Sequence, residues 1–191
     1  MYPSNYIDLA PARKAGAYSH RAIMRRLRFF VFTVFSAVLI AQALGDGQFH
    51  LSVGGLPAGA SIPPRFTCDG KNVSPPVSWS GEPEGTQSFA LIMEDPDARN
   101  YNHWLLWDIP ASVHSIAEGA KPEGISGTND FGDRAYGGPC PPGGVHAYVF
   151  RLFALDVPSL NLKAGQRRDS LDDALRKHVL AKAECRLHYA R

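Results

Sequence analysis

The chain is poor in the residues that build local reactive or metal-binding frameworks. It has three cysteines among 191 residues, Cys68, Cys140 and Cys185, and no Cys-x-x-Cys or His-x-x-x-His spacing. The usual zinc-binding signatures are therefore missing. So are the nucleophile elbow of serine hydrolases and the local pattern of a cysteine protease. Long apolar runs are equally scarce. The longest, Phe29 to Leu44, covers 16 residues, and a membrane-spanning helix needs about 20. Beyond Gly47 there is neither an internal repeat nor a linker. Basic residues are also sparse there. Of 20 Lys/Arg and 18 Asp/Glu in all, six and one fall in residues 1–43, leaving 14 basic and 17 acidic residues, a net of −3 with histidine neutral. Nucleic-acid binding needs a basic face, and the body of the chain supplies none. The apparent pI near 8.5 therefore belongs to the full chain with its basic N-terminal segment.

What is present at the N-terminus is an export signal in outline. The basic run Arg25-Arg26-Leu27-Arg28 precedes the apolar run, and Ala41-Gln42-Ala43 follows the A-x-A cleavage pattern. The expected organisation is a signal peptide over residues 24–43, with residues 1–23 as an upstream mis-start or a disordered extension, since Met24 stands just before the basic run. Residues 44–191 form a single domain. No cysteine follows the apolar run, which disfavours a bacterial lipoprotein anchor. The expected location is secreted or periplasmic, with membrane contact only through an uncleaved signal. An oxidising compartment permits one disulfide and leaves one thiol over. Cys68 and Cys140 both lie in loop-like sequence and are able to pair, while Cys185 sits in an alternating apolar tail as a small buried hydrophobe.

Residues 49–53, 77–79, 89–93 and 104–109 read as short strands, bounded by Gly and Pro. His146 to Leu155 is the longest strand. His146, Tyr148, Phe150, Leu152 and Ala154 share one face and Ala147, Val149, Arg151, Phe153 and Leu155 the other. Both faces are mostly apolar, which suits a strand covered on both sides. One helix is expected, capped by Ser170, with Leu171, Ala174, Leu175, His178 and Val179 on one stripe and Lys182 near its far end. Arg167-Arg168 and Asp169 read as solvated surface. Residues 121–144 read as one long loop rich in Gly, Pro, Asn and Asp. The fold class is mainly β, a sandwich rather than an alternating α/β sheet.

The chemistry-bearing residues cluster between Asp95 and Tyr148. Asp95 and Asp97 flank Pro96, which restricts Asp95 to extended backbone. His103 precedes one strand and His146 opens another, directly after the Gly/Pro-rich stretch Gly137 to Gly144. An imidazole beside a carboxylate favours its charged form and then donates to an oxyanion. Amides around Gly137 and Gly138 can add donors, and Pro139, Pro141 and Pro142 stiffen the rim. The same residues can hold zinc or a harder cation, but without the spacing that normally accompanies a metal. Cys140 with His146, and Ser74, lack the context of a nucleophile.

Seven stretches in order carry a resemblance: Phe66 to Gly70, Asn72 to Trp79, Asp95 to Ala98, His103-Trp104, Asn129 to Gly132, Tyr136 to Pro142, and Ala154 to Asp156. Together they resemble the phosphatidylethanolamine-binding protein (PEBP) family, in its bacterial Raf-kinase-inhibitor-like branch, over residues 49–191. The resemblance implies a sandwich of two antiparallel sheets with an anion pocket at one end. It implies Asp95, His103 and His146 at the pocket centre, surrounded by Asp97, Gly138, Pro141, Pro142 and Tyr148. Two departures stand out. The family usually has His-Arg-Tyr where this chain has His146-Ala147-Tyr148, and a proline commonly follows the alanine where this chain has Asp97-Ala98-Arg99. The resulting expectation is a binding protein for a small anion or phosphate-bearing headgroup, not an enzyme, with no cofactor and no metal. Its rivals are a protein-interaction module that inhibits or regulates a hydrolase or kinase through loop 121–144, and a hydrolase built on the Asp/His cluster.

Overall fold

Alternation of side chains on β-strands explains how this chain packs, and where the alternation breaks explains where the site lies. The computed structural model describes residues 48–191. The basic run, the apolar run and the cleavage pattern lie outside the described residues, as do the extension 1–23 and the signal 24–43. The described elements are β1 (His50–Val53), β2 (Val77–Ser80), β3 (Ser88–Asp95), β4 (Tyr101–Pro110), β5 (Ser115–Ile116), β6 (Ile125–Ser126), β7 (Val145–Leu155), helix α1 (Arg168–Leu175) and β8 (Val179–Ala190). Short 3-10 turns cover Pro64–Phe66 and Pro96–Ala98.

The strands form two antiparallel sheets, one in the order β1-β2-β5 and one in the order β6-β4-β3-β7-β8. Phe89, Leu91 and Met93 of β3 join Phe150, Leu152 and Ala154 of β7 in a core that also takes Val53, Val77, Trp79 and Ile116 from the small sheet. Ala90 and Ile92, one residue out of phase, face the other way and meet Leu105, Trp107, Leu160, Leu171 and Leu175. The large sheet is thus covered on one face by the small sheet and on the other by α1 and the segment before it. Every residue of β3 is buried, as the continuous apolar run of a central strand requires. Each fully buried Phe, Leu or Ile contributes roughly 1.5–3 kcal/mol.

The mainly β sandwich agrees with the sequence expectation, and β7 matches it over nearly its whole length. Three local expectations are corrected. Helix α1 begins at Arg168 with Arg167 at its cap position, and Ser170 lies inside it, its hydroxyl bonded to Gln166. The helix stops at Leu175. His178 lies beyond it, paired with Asp156, and Val179 and Lys182 belong to β8. Arg168 is not a solvated residue. Its guanidinium reaches the buried Glu94 and Asn102, which anchors the first helical turn to the sheet. Loop 121–144 contains the short strand β6, paired to β4 at Leu106 and Trp107.

Candidate functional site

At one end of the large sheet the inward columns of β3 and β7 change from apolar to polar. In β3 the face carrying Leu91 and Met93 continues to Asp95. In β7 the face carrying Leu152 and Phe150 continues to Tyr148 and His146. Met93 pairs with Phe150 and Glu94 with Val149, so Asp95 arrives beside Tyr148 and His146 by register alone. His103 needs a further device. Met93 also pairs with Trp104, and Glu94 with Asn102, which leaves His103 as an extra residue in β4. Trp104 packs into the inter-sheet core, and strict alternation would send His103 to the opposite face. The β-bulge turns it toward Asp95 and His146 instead.

These side chains line a cavity of about 240 Å³ together with Ala98, Tyr101, Phe131, Cys140, Pro141 and Pro142. Asp95 is buried and fully engaged. Its Oδ1 accepts from the amides of Asp97 at 2.9 Å and Ala98 at 3.0 Å, and its Oδ2 lies 2.7 Å from Nδ1 of His146. The carboxylate therefore caps the 3-10 turn and fixes the ring of His146, whose Nε2 is left for the cavity. His103 is held differently. Its Nδ1 donates to the carbonyl of Gly137 at 2.8 Å, and its ring meets Tyr101, Phe131 and Tyr148 edge-on at centroid distances of 5.6, 5.2 and 5.2 Å. Burial lowers the pKa of His103 below its ordinary value, outweighing the hydrogen bond to the Gly137 carbonyl and the nearby charge of Asp95. At neutral pH the ring is neutral, and with Nδ1–H committed, Nε2 is an acceptor. The expectation of a charged, donating imidazole thus does not apply to His103.

Tyr148 is fully buried, and its hydroxyl, beside the Asp95 carboxylate, makes no hydrogen bond of good geometry among the described residues. Burial first, and then the charge of Asp95, push its phenol well above the ordinary tyrosine range, so it is a donor. A buried hydroxyl without a partner costs about 1–3 kcal/mol, and Tyr148 is part of the cavity wall.

Two expected residues stand outside the cavity wall. Asp97 turns its carboxylate to the amide of Ala147 at 2.8 Å, tying the 3-10 turn to β7. Gly138 donates its amide to Oδ1 of Asn72 at 2.9 Å, and a side chain there would collide with Asn72 and the carbonyl of Phe66. The amide of Gly137 is bonded to the carbonyl of His103. Neither glycine amide is available as a ligand donor, and close packing is the reason for glycine at 138. Tyr101 and Phe131 line the cavity although sequence reasoning gave them no role. Phe131 sits in the Asn129 to Gly132 stretch, which was visible as a motif but had no partner until the loop folded back. Cys68 and Cys140 form a disulfide with Cα atoms 5.4 Å apart, which fastens the wall residue Cys140 to the segment after Phe66. Cys185 is free and buried. Among the described residues, no three His, Cys, Asp or Glu side chains gather as a metal ion would need.

Comparison with known proteins gives one consistent answer. A family model described as phosphatidylethanolamine-binding protein matches residues 55–190. The chain is 45% identical over 131 residues to a UPF0098 protein of Methanothermobacter thermautotrophicus, covering 64% of this chain and 86% of that protein. It is 46% identical over 134 residues to a UPF0098 protein of Aquifex aeolicus, covering 65% and 78%. Among solved structures, the PEBP homolog CT736 from Chlamydia trachomatis superposes with a TM-score of 0.73 at 33% identity, over 76% of this chain and 99% of that one. YbcL of E. coli, a member of the mammalian PEBP family, gives 0.70 at 31%, over 75% and 98%. With its two antiparallel sheets and matched residues 55–190, this chain belongs to the phosphatidylethanolamine-binding protein family.

Proposed function

We propose that the protein is a non-enzymatic binding protein that holds a small phosphate-bearing group, such as a lipid headgroup or a free phosphomonoester, in the strand-end cavity. The observation that carries this reading is that Tyr148, whose buried hydroxyl is unpartnered among the described residues, lines the same cavity as His146 and His103. A ligand there receives a hydrogen bond from Tyr148 and meets Nε2 of His146, whose other ring nitrogen is held by Asp95. The neutral His103 accepts one. A wall that offers both donor and acceptor atoms suits a phosphate group that retains one proton.

The chemistry of the wall supports binding over turnover. Cys140, which lines the cavity with the histidines, is tied in a disulfide and offers no thiolate. The phenol of Tyr148 is held protonated, and Ser74 lines a different cleft. Export through the N-terminal signal is part of the same proposal, and the disulfide supports an oxidising compartment. The test is calorimetric titration with inorganic phosphate and with phosphorylethanolamine. His146→Ala is expected to weaken both by at least about tenfold, the value of one charge-assisted hydrogen bond. An unchanged affinity rejects the assignment.

A second reading, an interaction module using loop 121–144, draws on one observation. Phe131 at the cavity wall is 46% exposed and Val145 at the start of β7 is 68% exposed. Val145→Ser that abolishes capture of a protein target while leaving phosphate affinity intact would favour it.

A further inference from the structure

The strand-end cavity is not the molecule's largest concavity. A second cleft of about 480 Å³ opens between residues 72–74, 119–122 and 134–136. Its apolar wall includes Val73 and Pro122, with Trp104 and Tyr136 packed edge-on at 5.5 Å. Lys121 and Arg134 stand on it, both exposed. Neither forms an ion pair among the described residues, and no acid lines the cleft. Ser74 also lines it. This residue is 5% exposed, and its hydroxyl makes no hydrogen bond among the described residues, while its carbonyl is taken by the amide of Gly119.

The contrast with a third cleft of similar size is informative. There Arg99, Arg167 and Arg168 are matched by Asp130, Asp169 and Asp172, and Arg167 and Arg168 already hold acid partners. Two of the three cations of that cleft are spent on ion pairs, and three acids line it beside Arg99. The cations of Lys121 and Arg134 are not so spent, in a domain whose overall charge is negative. Two uncompensated cations and the free hydroxyl of a largely buried serine beside an apolar wall match one ligand chemistry.

We propose that this cleft is a second binding site, independent of the strand-end cavity, for a small organic anion that carries an aromatic or alkyl group beside its phosphate or carboxylate. The anion lies between Lys121 and Arg134 within reach of Ser74, and the apolar part covers Val73 and Pro122.

The test is an amide NMR titration of the full chain with phenyl phosphate, run in parallel on the His146→Ala variant to disable the strand-end cavity. Saturable shifts at Ser74, Lys121 and Arg134 are expected in both proteins. The double variant Lys121→Glu/Arg134→Glu is expected to bind at least about tenfold more weakly at this cleft, its spectrum otherwise reporting an unchanged fold. Inorganic phosphate is expected to bind more weakly than phenyl phosphate. Absence of saturable shifts at these amides, equal affinity after charge reversal, or equal affinity for the two ligands would each overturn the proposal. Loss of strand-end binding in His146→Ala bears only on the other site.

Discussion

Asp95 does two jobs with two oxygens, and the substitutions that separate them have different consequences. Oδ1 caps the turn through Asp97 and Ala98, and Oδ2 holds His146. Asp95→Ala removes both, strands two turn amides and leaves a half-buried imidazole unsupported. A loss of about 1–3 kcal/mol in folding free energy is expected from urea titration. Asp95→Asn keeps an acceptor for the turn but loses the charge, so it should stay within about 1 kcal/mol of wild type while phosphate affinity falls. Equal stability of the two variants would contradict the capping role. His103 carries a pH dependence. Its folded pKa lies below that of an unfolded histidine, near 6.5, so the unfolded chain binds the extra proton first. The burial of this ring therefore subtracts nothing above that value and lowers stability as pH falls through and below it. A urea midpoint that drops less steeply between pH 7.5 and 5.5 in His103→Gln than in wild type is the expected result.

Among the elements, β4 and α1 are tied to the site through the helix-facing side of the sheet. Glu94 is buried next to Asp95 in sequence but faces α1, where Arg151 and Arg168 share its carboxylate. Arg168 also holds Asn102, the residue paired with Glu94 at the bulge that delivers His103. Arg168→Met leaves the carboxylate with one cation. A cost of about 3 kcal/mol is expected in thermal or chemical unfolding, because a buried charge that loses a partner is far more expensive than an exposed one. A change under about 0.5 kcal/mol would mean the ion pair is not holding α1. Most strands were legible from alternation and from their Gly/Pro borders. Arg168 was not, since its partner lies 74 residues away and nothing local distinguishes it from the exposed Arg167 beside it. The bulge was equally invisible, because an extra residue in β4 is defined only against its neighbour β3.

On the scale of the whole molecule, the disulfide closes a loop spanning 72 positions and joins the segment after Phe66 to the cavity wall. Chain-entropy arguments put its removal at about 4 kcal/mol, with 2–5 the usual span for a native bridge. Cys68→Ser/Cys140→Ser is expected to melt well below the oxidised protein, and reduction of the native protein should shift it the same way. Identical unfolding curves with and without reductant would show that the bridge adds nothing to the hydrogen bonds around Gly138 and Pro139.

The sequence by itself determined the β-rich class, the covering of β7 on both faces and the shared face of His146 and Tyr148, because period-two alternation is a local property of the chain. It also exposed the motifs that belong to this family. Tertiary structure alone decided that Asp95 meets His146, that His103 is turned inward and kept neutral, and that Asp97 and Gly138 brace the walls rather than line them. Those outcomes depend on register between strands about 50 residues apart and on burial by loop 121–144. Desolvation and hydrogen-bond partnership exist only after distant segments have packed.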